Sequence, residues 1–296
     1  MENLQPEPAP AQLVEKNPDF NTSPAHQVPF STNNDYMRVL LISLSAFGVW
    51  IASLVLIAII PALLFFPYAA SQGLNFSDLL AVAEFAKSNP SAIFVQMLGV
   101  LPAHLLTLAV AWILITRGKK FSFFKTLGWE RGGFRWWHYV VILIGFFVIA
   151  AIVQQFLPEQ ENEMIRMLRS SRSVVYVVAF MATFTAPLAE EVIYRGVLYS
   201  AFRRAVGVPA SFVMVTLLFA LVHLPQYYPS YSTMIMLTLL SVVLTAIRVR
   251  SDSLLPCVIF HTVFNGVQSV LLIIEPLLPK EAVPEPVPTA FFALFP

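Results

Sequence analysis

The sequence predicts an all-α polytopic membrane protein, with about seven or eight transmembrane helices and an intramembrane polar pocket. Of the 296 residues, 57% are hydrophobic and only 12% are charged, and the mean hydropathy is +0.73. A water-soluble domain of this size could not cover so much apolar surface with polar side chains. Segments of alternating polarity, which indicate spanning strands, are missing, so the spanning elements are predicted to be helices.

Long stretches without Asp, Glu, Lys or Arg define the individual spans, because a helix needs about 20 largely apolar residues to cross a bilayer. These stretches lie between Arg38 and Asp78, Lys87 and Arg117, Arg135 and Glu159, Arg172 and Glu190, Arg204 and Arg248, and Asp252 and Glu275. The proline-bounded turn at 225–229 divides the fifth stretch in two. Seven spans result, at residues 39–67, 91–116, 138–157, 173–204, 209–224, 231–249 and 253–275. The apolar segment 289–296 is too short to be an eighth.

Two proline-rich tails flank the predicted membrane domain of residues 38–280. Residues 1–37 contain six prolines and five acidic residues against one lysine, a composition typical of a disordered segment. They lack the basic and apolar regions of a cleavable targeting signal, so the first span is expected to direct insertion. Residues 281–296 form the second, short tail.

The charge distribution predicts the orientation in the membrane. The connection at 117–135 contains six basic residues and one acidic residue, and the positive-inside rule places such a loop in the cytoplasm. The N-terminal tail is then cytoplasmic and the C-terminus is outside. We therefore predict a multi-pass protein of the plasma membrane. The net charge of +1 offers no general attraction for nucleic acid, so no nucleic-acid partner is expected.

Two adjacent carboxylates and an arginine lie inside the fourth predicted span. Glu191 and Arg195 are four residues apart and share a helix face, so their charges can neutralise one another. Glu190 points about 100° away and remains without a cation. Ionisable groups inside a bilayer are costly and mark functional sites, and an unpaired carboxylate is a candidate general base. The alternative is that both acids belong to a structural ion-pair cluster.

Two histidines and an asparagine in later spans lie at depths similar to that of Glu190. At about 1.5 Å per residue, Glu190, His223 and Asn265 each lie about 20 Å from the cytoplasmic ends of their spans, and His261 lies about 14 Å from its end. His261 and Asn265 share one helix face through their i,i+4 spacing. We expect these side chains to converge on a polar pocket that is entered from the cytoplasm.

The three polar motifs, taken together and in this order, resemble a known family. Glu-Glu-x-x-x-Arg occupies 190–195, Phe-x-x-x-His occupies 219–223 and His-x-x-x-Asn occupies 261–265. They are similar to the motifs of the CPBP family of intramembrane glutamic endopeptidases, which includes CAAX proteases and bacteriocin-processing enzymes. The resemblance covers about residues 173–275, and it implies that this segment is a protease core.

The resemblance also implies roles for the motif residues. Glu190 would activate a water molecule for attack on a peptide carbonyl, assisted by His223, and His261 and Asn265 would stabilise the oxyanion. Two further residues, Glu191 and Arg195, would support this geometry. The implied mechanism uses no cofactor and no metal, and the implied substrate is a lipidated or otherwise membrane-associated peptide or protein in the lipid bilayer. The sequence predicts no oligomeric state.

Three other interpretations of these residues stay open. Glu190, His223 and His261 could form the zinc site of an intramembrane metalloprotease, although no His-Glu-x-x-His motif occurs. Cys257 lies four residues before His261, but it is expected to be a small thiol of the core. Buried Glu and His also serve proton-coupled transporters, although no second copy of the acidic motif indicates an inverted repeat.

Two features outside the motifs carry predictions of their own. His104, in the second span, is predicted to be a packing residue or to form an interhelical hydrogen bond. Residues 159–172 alternate acidic, basic and apolar side chains, and they are predicted to form an amphipathic connector at the outer surface.

Overall fold

The computed structural model describes residues 33–277, and every regular element in that range is helical. The predicted tails at 1–37 and 281–296 lie almost entirely outside the described residues. Helix α1 begins at Asn33, so residues 33–37, which we assigned to the N-terminal tail, are helical instead. The segment 33–35 has the composition favoured at helix N-termini, which explains the earlier start.

The described range contains eleven α-helices, two π-helical turns and one 3₁₀ turn. The α-helices are α1 (Asn33–Ser71), α2 (Leu79–Ser88), α3 (Pro90–Thr116), α4 (Phe123–Leu127), α5 (Trp136–Phe156), α6 (Glu163–Ser170), α7 (Arg172–Phe180), α8 (Ala186–Glu191), α9 (Tyr199–Tyr227), α10 (Tyr231–Ser251) and α11 (Leu255–Ile274). Met181–Thr185 and Val192–Leu198 are π-helical, and Glu275–Leu277 is a 3₁₀ turn. The two π-helical turns connect α7, α8 and α9 into one continuous helical stretch.

Six helices of the described range are long and apolar enough to cross a membrane, and the longest of them, Arg172–Tyr227, has 56 residues. This helix is broken at Gly207, whose φ of 81° and ψ of 177° are not helical. The ring centroids of Tyr194 and Phe219 lie only 5.0 Å apart, whereas 25 residues of straight helix would separate them by about 37 Å. The chain therefore folds back at Gly207, and all seven predicted spans correspond to parts of these six helices. The predicted fold class is confirmed.

The connections between the spans define two ends of the bundle. At the first end, which we call the basic end, the 117–135 connection packs on the turn between α10 and α11, where Leu254 N donates to Gly128 O at 2.8 Å. Arg203 and Asp252 form a salt bridge of 2.6 Å at this end. At the opposite end, which we call the connector end, α2 and α6 are joined by a salt bridge of 3.5 Å between Lys87 and Glu163.

Helix α6 is the amphipathic connector predicted at 159–172. Asn162 caps its N-terminus by accepting a hydrogen bond from Ile165 N at 3.0 Å. Met164, Ile165 and Leu168 are buried, while the charged residues between them are exposed. Because its apolar side packs onto the bundle, α6 lies across the connector end and covers part of it.

Candidate active site

Glu190 and Glu191 end the short helix α8, which lies between two π-helical turns. Pro187 has no amide hydrogen, and its ring interferes with the carbonyl four residues earlier, which accounts for the widened turn before α8. Gly196 lies in the second widened turn, where the lack of a side chain lowers the cost of leaving regular α geometry. π-Helical turns of this kind are frequent at functional sites, because they change the direction of individual side chains.

Glu191 is fully buried and is held by two partners. Its Oε1 lies 3.0 Å from Arg195 Nη1 and 2.9 Å from His261 Nδ1, so the i,i+4 ion pair expected from the sequence is present. Arg195 also donates to Ser241 Oγ at 2.8 Å, and its guanidinium lies 4.7 Å from the centre of the Phe219 ring. Such contacts offset part of the cost of burying the ion pair, and Glu191 Oε2 and Arg195 Nε have no hydrogen-bond partner among the described residues. These contacts join α8 to α10 and α11 and leave Glu191 neutralised.

Glu190 has a different environment from its neighbour. Its side chain is 15% exposed, and its Oε2 lies 4.0 Å from His261 Nε2. Since the Glu191 carboxylate accepts at Nδ1 of His261, this nitrogen carries the proton, and in the neutral ring Nε2 has a free lone pair. Neither Glu190 Oε2 nor His261 Nε2 has a hydrogen-bond partner among the residues that the structure describes. Two acceptors therefore face each other across a gap that a hydrogen-bond donor can bridge.

His223 lies with Glu190 on the wall of one cavity of about 1110 Å³. Its Nδ1 is 2.6 Å from Phe219 O, and a carbonyl oxygen can only accept, so Nδ1 donates and Nε2 keeps its lone pair. The ring is thereby fixed in one tautomer by its own helix. Glu190 and His223 come from the two antiparallel arms on either side of Gly207, and the fold brings them to the same cavity.

His261 and Asn265 lie behind this wall rather than on it. Both side chains are fully buried, and neither is among the described residues that line the cavity. Asn265 Nδ2 donates to Ala182 O, in the first π-helical turn, at 2.8 Å. One of its two amide hydrogens is thus used to hold α11 against the turn that precedes α8. His261 contacts both acidic residues, so α11 supports the position of Glu190.

The cavity opens toward the connector end. Its exposed charged lining residues belong to α2, to α6 and to the residue before the α6 cap, namely Glu84, Lys87, Glu161, Glu163, Arg166 and Arg169. No lining residue of the described chain comes from the 117–135 connection. The structure therefore differs from our expectation of a pocket entered from the basic end. The expectation was based on the depth of each residue from the basic end of its helix. His223 lies much closer to the opposite end of α9, which is only four residues or about 6 Å away.

The first two spans also contribute to the cavity, which the sequence motifs did not reveal. His104 of α3 lines it, and its Nδ1 forms the expected interhelical hydrogen bond, 2.9 Å from Thr185 Oγ1. Trp50 of α1 donates from Nε1 to the hydroxyl oxygen of Tyr194 at 3.1 Å. One property of the sequence could have indicated His104. It lies about 20 Å from Arg117 at the end of its span, the same depth that Glu190 has in the fourth predicted span.

The residues of the alternative mechanisms are placed as follows. Cys257 is fully buried, does not line the cavity, and its Sγ lies 3.5 Å from Leu244 O. It is the core thiol that the sequence predicted. Within 33–277, no three side chains of His, Cys, Asp or Glu are arranged so that they could hold one metal ion.

Comparison with known proteins gives one match. Residues 172–267 match the family described as "Type II CAAX prenyl endopeptidase Rce1-like". Neither the curated proteins nor the solved structures contain a match to the chain. The matched segment begins at α7, ends within α11 and contains all seven specified residues of the three motifs. Residues 172–267, about a third of the chain, are thus similar to the Rce1-like type II CAAX prenyl endopeptidases, a protease family, and this match agrees with the resemblance seen in the motifs.

Proposed function

We propose that this protein is an intramembrane glutamic endopeptidase that cleaves membrane-associated or lipidated peptides. The family match supports peptidase activity in general. The observation that carries the finer proposal is the contrast between two adjacent carboxylates. Glu191 is neutralised by Arg195, whereas Glu190 has no cation bound to it within the described residues and lies with His223 on the cavity wall. A carboxylate in this position is suited to general-base catalysis.

The proposed reaction uses water as the nucleophile. Glu190 accepts a proton from a water molecule, whose oxygen attacks the carbonyl carbon of the scissile peptide bond. His223 Nε2 accepts the second hydrogen bond of this water and orients it. When the tetrahedral intermediate collapses, the carbon–nitrogen bond breaks, and the protonated Glu190 gives its proton to the leaving amine. All atoms and charges balance without a covalent enzyme intermediate.

Stabilisation of the oxyanion remains with His261 and Asn265 in this proposal. Asn265 has a second amide hydrogen in addition to the one bonded to Ala182 O. His261 becomes a donor at Nε2 only in its protonated form, with Nδ1 still bonded to Glu191, because Nε2 of the neutral ring is an acceptor. The Asn265 amide is held by its bond to Ala182 O before the substrate arrives, and fixed donors stabilise developing charge most effectively. Neither side chain lines the cavity, so this proposed role requires a displacement of the α8 turn when the substrate binds.

We also propose that the substrate reaches Glu190 from the outer face of the plasma membrane. The positive-inside rule assigns the basic end to the cytoplasm, and the cavity opens at the opposite end. This proposal replaces the cytoplasmic opening expected from the sequence. Apolar residues of α1 and α3, such as Ile57, Met97 and Val100, line the same cavity and suit a lipid-bearing or hydrophobic segment of the substrate.

The test is an activity assay on the purified protein in proteoliposomes. We expect it to cleave a fluorogenic prenylated CAAX peptide, at a rate that is unchanged by a strong chelator and by Cys257→Ser. Loss of activity in chelator that zinc restores would assign the reaction to a metal centre. Loss in Cys257→Ser would assign it to a thiolate. Absence of cleavage together with proton-coupled solute uptake would favour a transporter.

A further inference from the structure

The α3 wall of the cavity carries two polar side chains to which the family match assigns no role. His104 and Thr107 are three residues apart and therefore lie on one face of α3, and both line the cavity that contains Glu190 and His223. They are 5% and 2% exposed. Helix α3 lies outside the matched segment 172–267. The wall opposite the motif residues is thus polar at two buried positions.

The hydrogen bonds around His104 determine what it offers to the cavity. Its Nδ1 is 2.9 Å from Thr185 Oγ1, and the same hydroxyl lies 3.4 Å from Met181 O. Because this carbonyl can only accept, we assign the hydroxyl proton of Thr185 to it and the ring proton of His104 to Nδ1, which then donates to Thr185. Nε2 of the neutral ring is then a free acceptor. The hydroxyl of Thr107 is buried and has no hydrogen-bond partner anywhere in the described range, so its hydrogen is unused.

An acceptor and a donor on one helix face are complementary to the N–H and C=O groups along the edge of an extended peptide. A peptide bound in a cavity that excludes water must have its N–H and C=O groups hydrogen-bonded, since each unsatisfied group is costly. His104 and Thr107 are separated by about 4.5 Å along the helix axis, which is comparable with the rise of about 3.3 Å per residue in an extended chain. An N–H and a C=O on the same side of such a chain can therefore be bound together.

We propose that His104 and Thr107 form a backbone-binding subsite that holds an extended peptide substrate against Glu190. His104 Nε2 accepts from a peptide N–H, and the Thr107 hydroxyl donates to a peptide carbonyl. This inference rests on the proposed endopeptidase function and adds the substrate-binding wall to it. The ligand class is the peptide main chain, so the subsite contributes to affinity and orientation rather than to side-chain selection.

Three substitutions separate substrate binding from helix packing. Thr107→Val keeps the shape and removes the hydroxyl, and we expect it to raise KM for the prenylated CAAX peptide about three- to tenfold with little change in kcat. His104→Asn keeps a donor to Thr185 but lacks the acceptor at Nε2, so its KM should rise similarly. His104→Gln places its amide oxygen near Nε2 and should retain most of the affinity. Thr238→Val, where the hydroxyl bonds to Met234 O, is the matched control and should have wild-type KM.

A binding measurement makes the test independent of catalysis. Fluorescence anisotropy of the labelled prenylated CAAX peptide with Glu190→Gln protein in nanodiscs should give a Kd that Thr107→Val raises by the same factor. An unchanged Kd in Thr107→Val, or weaker binding in His104→Gln than in His104→Asn, would overturn the subsite and assign both side chains to packing. Retention of cleavage by Glu190→Gln would contradict the proposed function but would leave this comparison of Kd values readable.

Discussion

At the scale of single residues, two neighbouring glutamates acquire different properties from their surroundings alone. Glu191 is fully buried between Arg195 and His261, and its charge is balanced inside the bundle. Glu190 is 15% exposed, and its Oε2 lies 4.0 Å from His261 Nε2. The same side chain is thus structural at one position and a candidate base at the next.

The buried ion pair leads to a prediction about stability. Arg195→Met leaves the Glu191 carboxylate buried without its cation, and we expect the free energy of unfolding to fall by about 3–5 kcal/mol. The double variant Glu191→Gln/Arg195→Met removes both charges and should recover a large part of this loss. Thermal unfolding in detergent, followed by circular dichroism, measures the difference. A double variant no more stable than Arg195→Met would show that the ion pair is not the source of the effect.

At the scale of elements, the close packing of α1 and α3 depends on a glycine. A Cβ added at Gly99 would lie 2.6 Å from the backbone Cα of Pro61, a contact that only a shift of one helix can relieve. Pro61 and Pro102 interrupt the regular hydrogen bonding of α1 and α3. The wall formed by these two helices therefore has little freedom to accommodate a larger residue.

We expect Gly99→Ala to lower the free energy of unfolding by about 1–3 kcal/mol, because the added methyl group forces the backbones of α1 and α3 apart. The matched control is Gly48→Ala, in α1, where an added Cβ meets no atom within 4 Å. Alanine favours helix over glycine, so the control should be as stable as the natural protein or slightly more so. Equal losses in the two variants would indicate that helix separation does not cause the effect.

Much of the element-scale structure was predictable from charge and hydropathy, whereas the shape of the site was not. The seven spans follow from the absence of charges, and the Glu191–Arg195 pair follows from helical spacing. The π-helical turns on both sides of α8 do not follow, since they result from a proline and from packing against other helices. His104 belongs to none of the three motifs. Its contact with Thr185 depends on which spans pack against each other, and the sequence does not show this. The end of the bundle at which the cavity opens could not be predicted either, because the depth of His223 has to be measured from both ends of α9.

At the scale of the whole molecule, the basic end and the cavity mouth lie on opposite sides. Lys125 is exposed in the basic connection, and Arg166 is exposed on α6 and lines the cavity. In a Cys257→Ser background, we expect a cysteine at position 166 to react with an impermeant maleimide added to intact cells. A cysteine at position 125 should react only after permeabilisation. The reverse pattern would place the cavity mouth in the cytoplasm, and labelling of both from one side would contradict their placement at opposite ends.

The central claim is that the carboxylate of Glu190 is the base that activates water, and one substitution tests it most directly. Glu190→Gln has the same shape but cannot take up the proton, so single-turnover cleavage of the prenylated CAAX peptide should fall by at least a hundredfold. Glu130→Gln, an exposed position in the basic connection, should cleave at the natural rate. Because the amide is isosteric, both variants should insert and unfold like the natural protein. Cleavage by Glu190→Gln at more than a small fraction of the natural rate would contradict the claim and require another base.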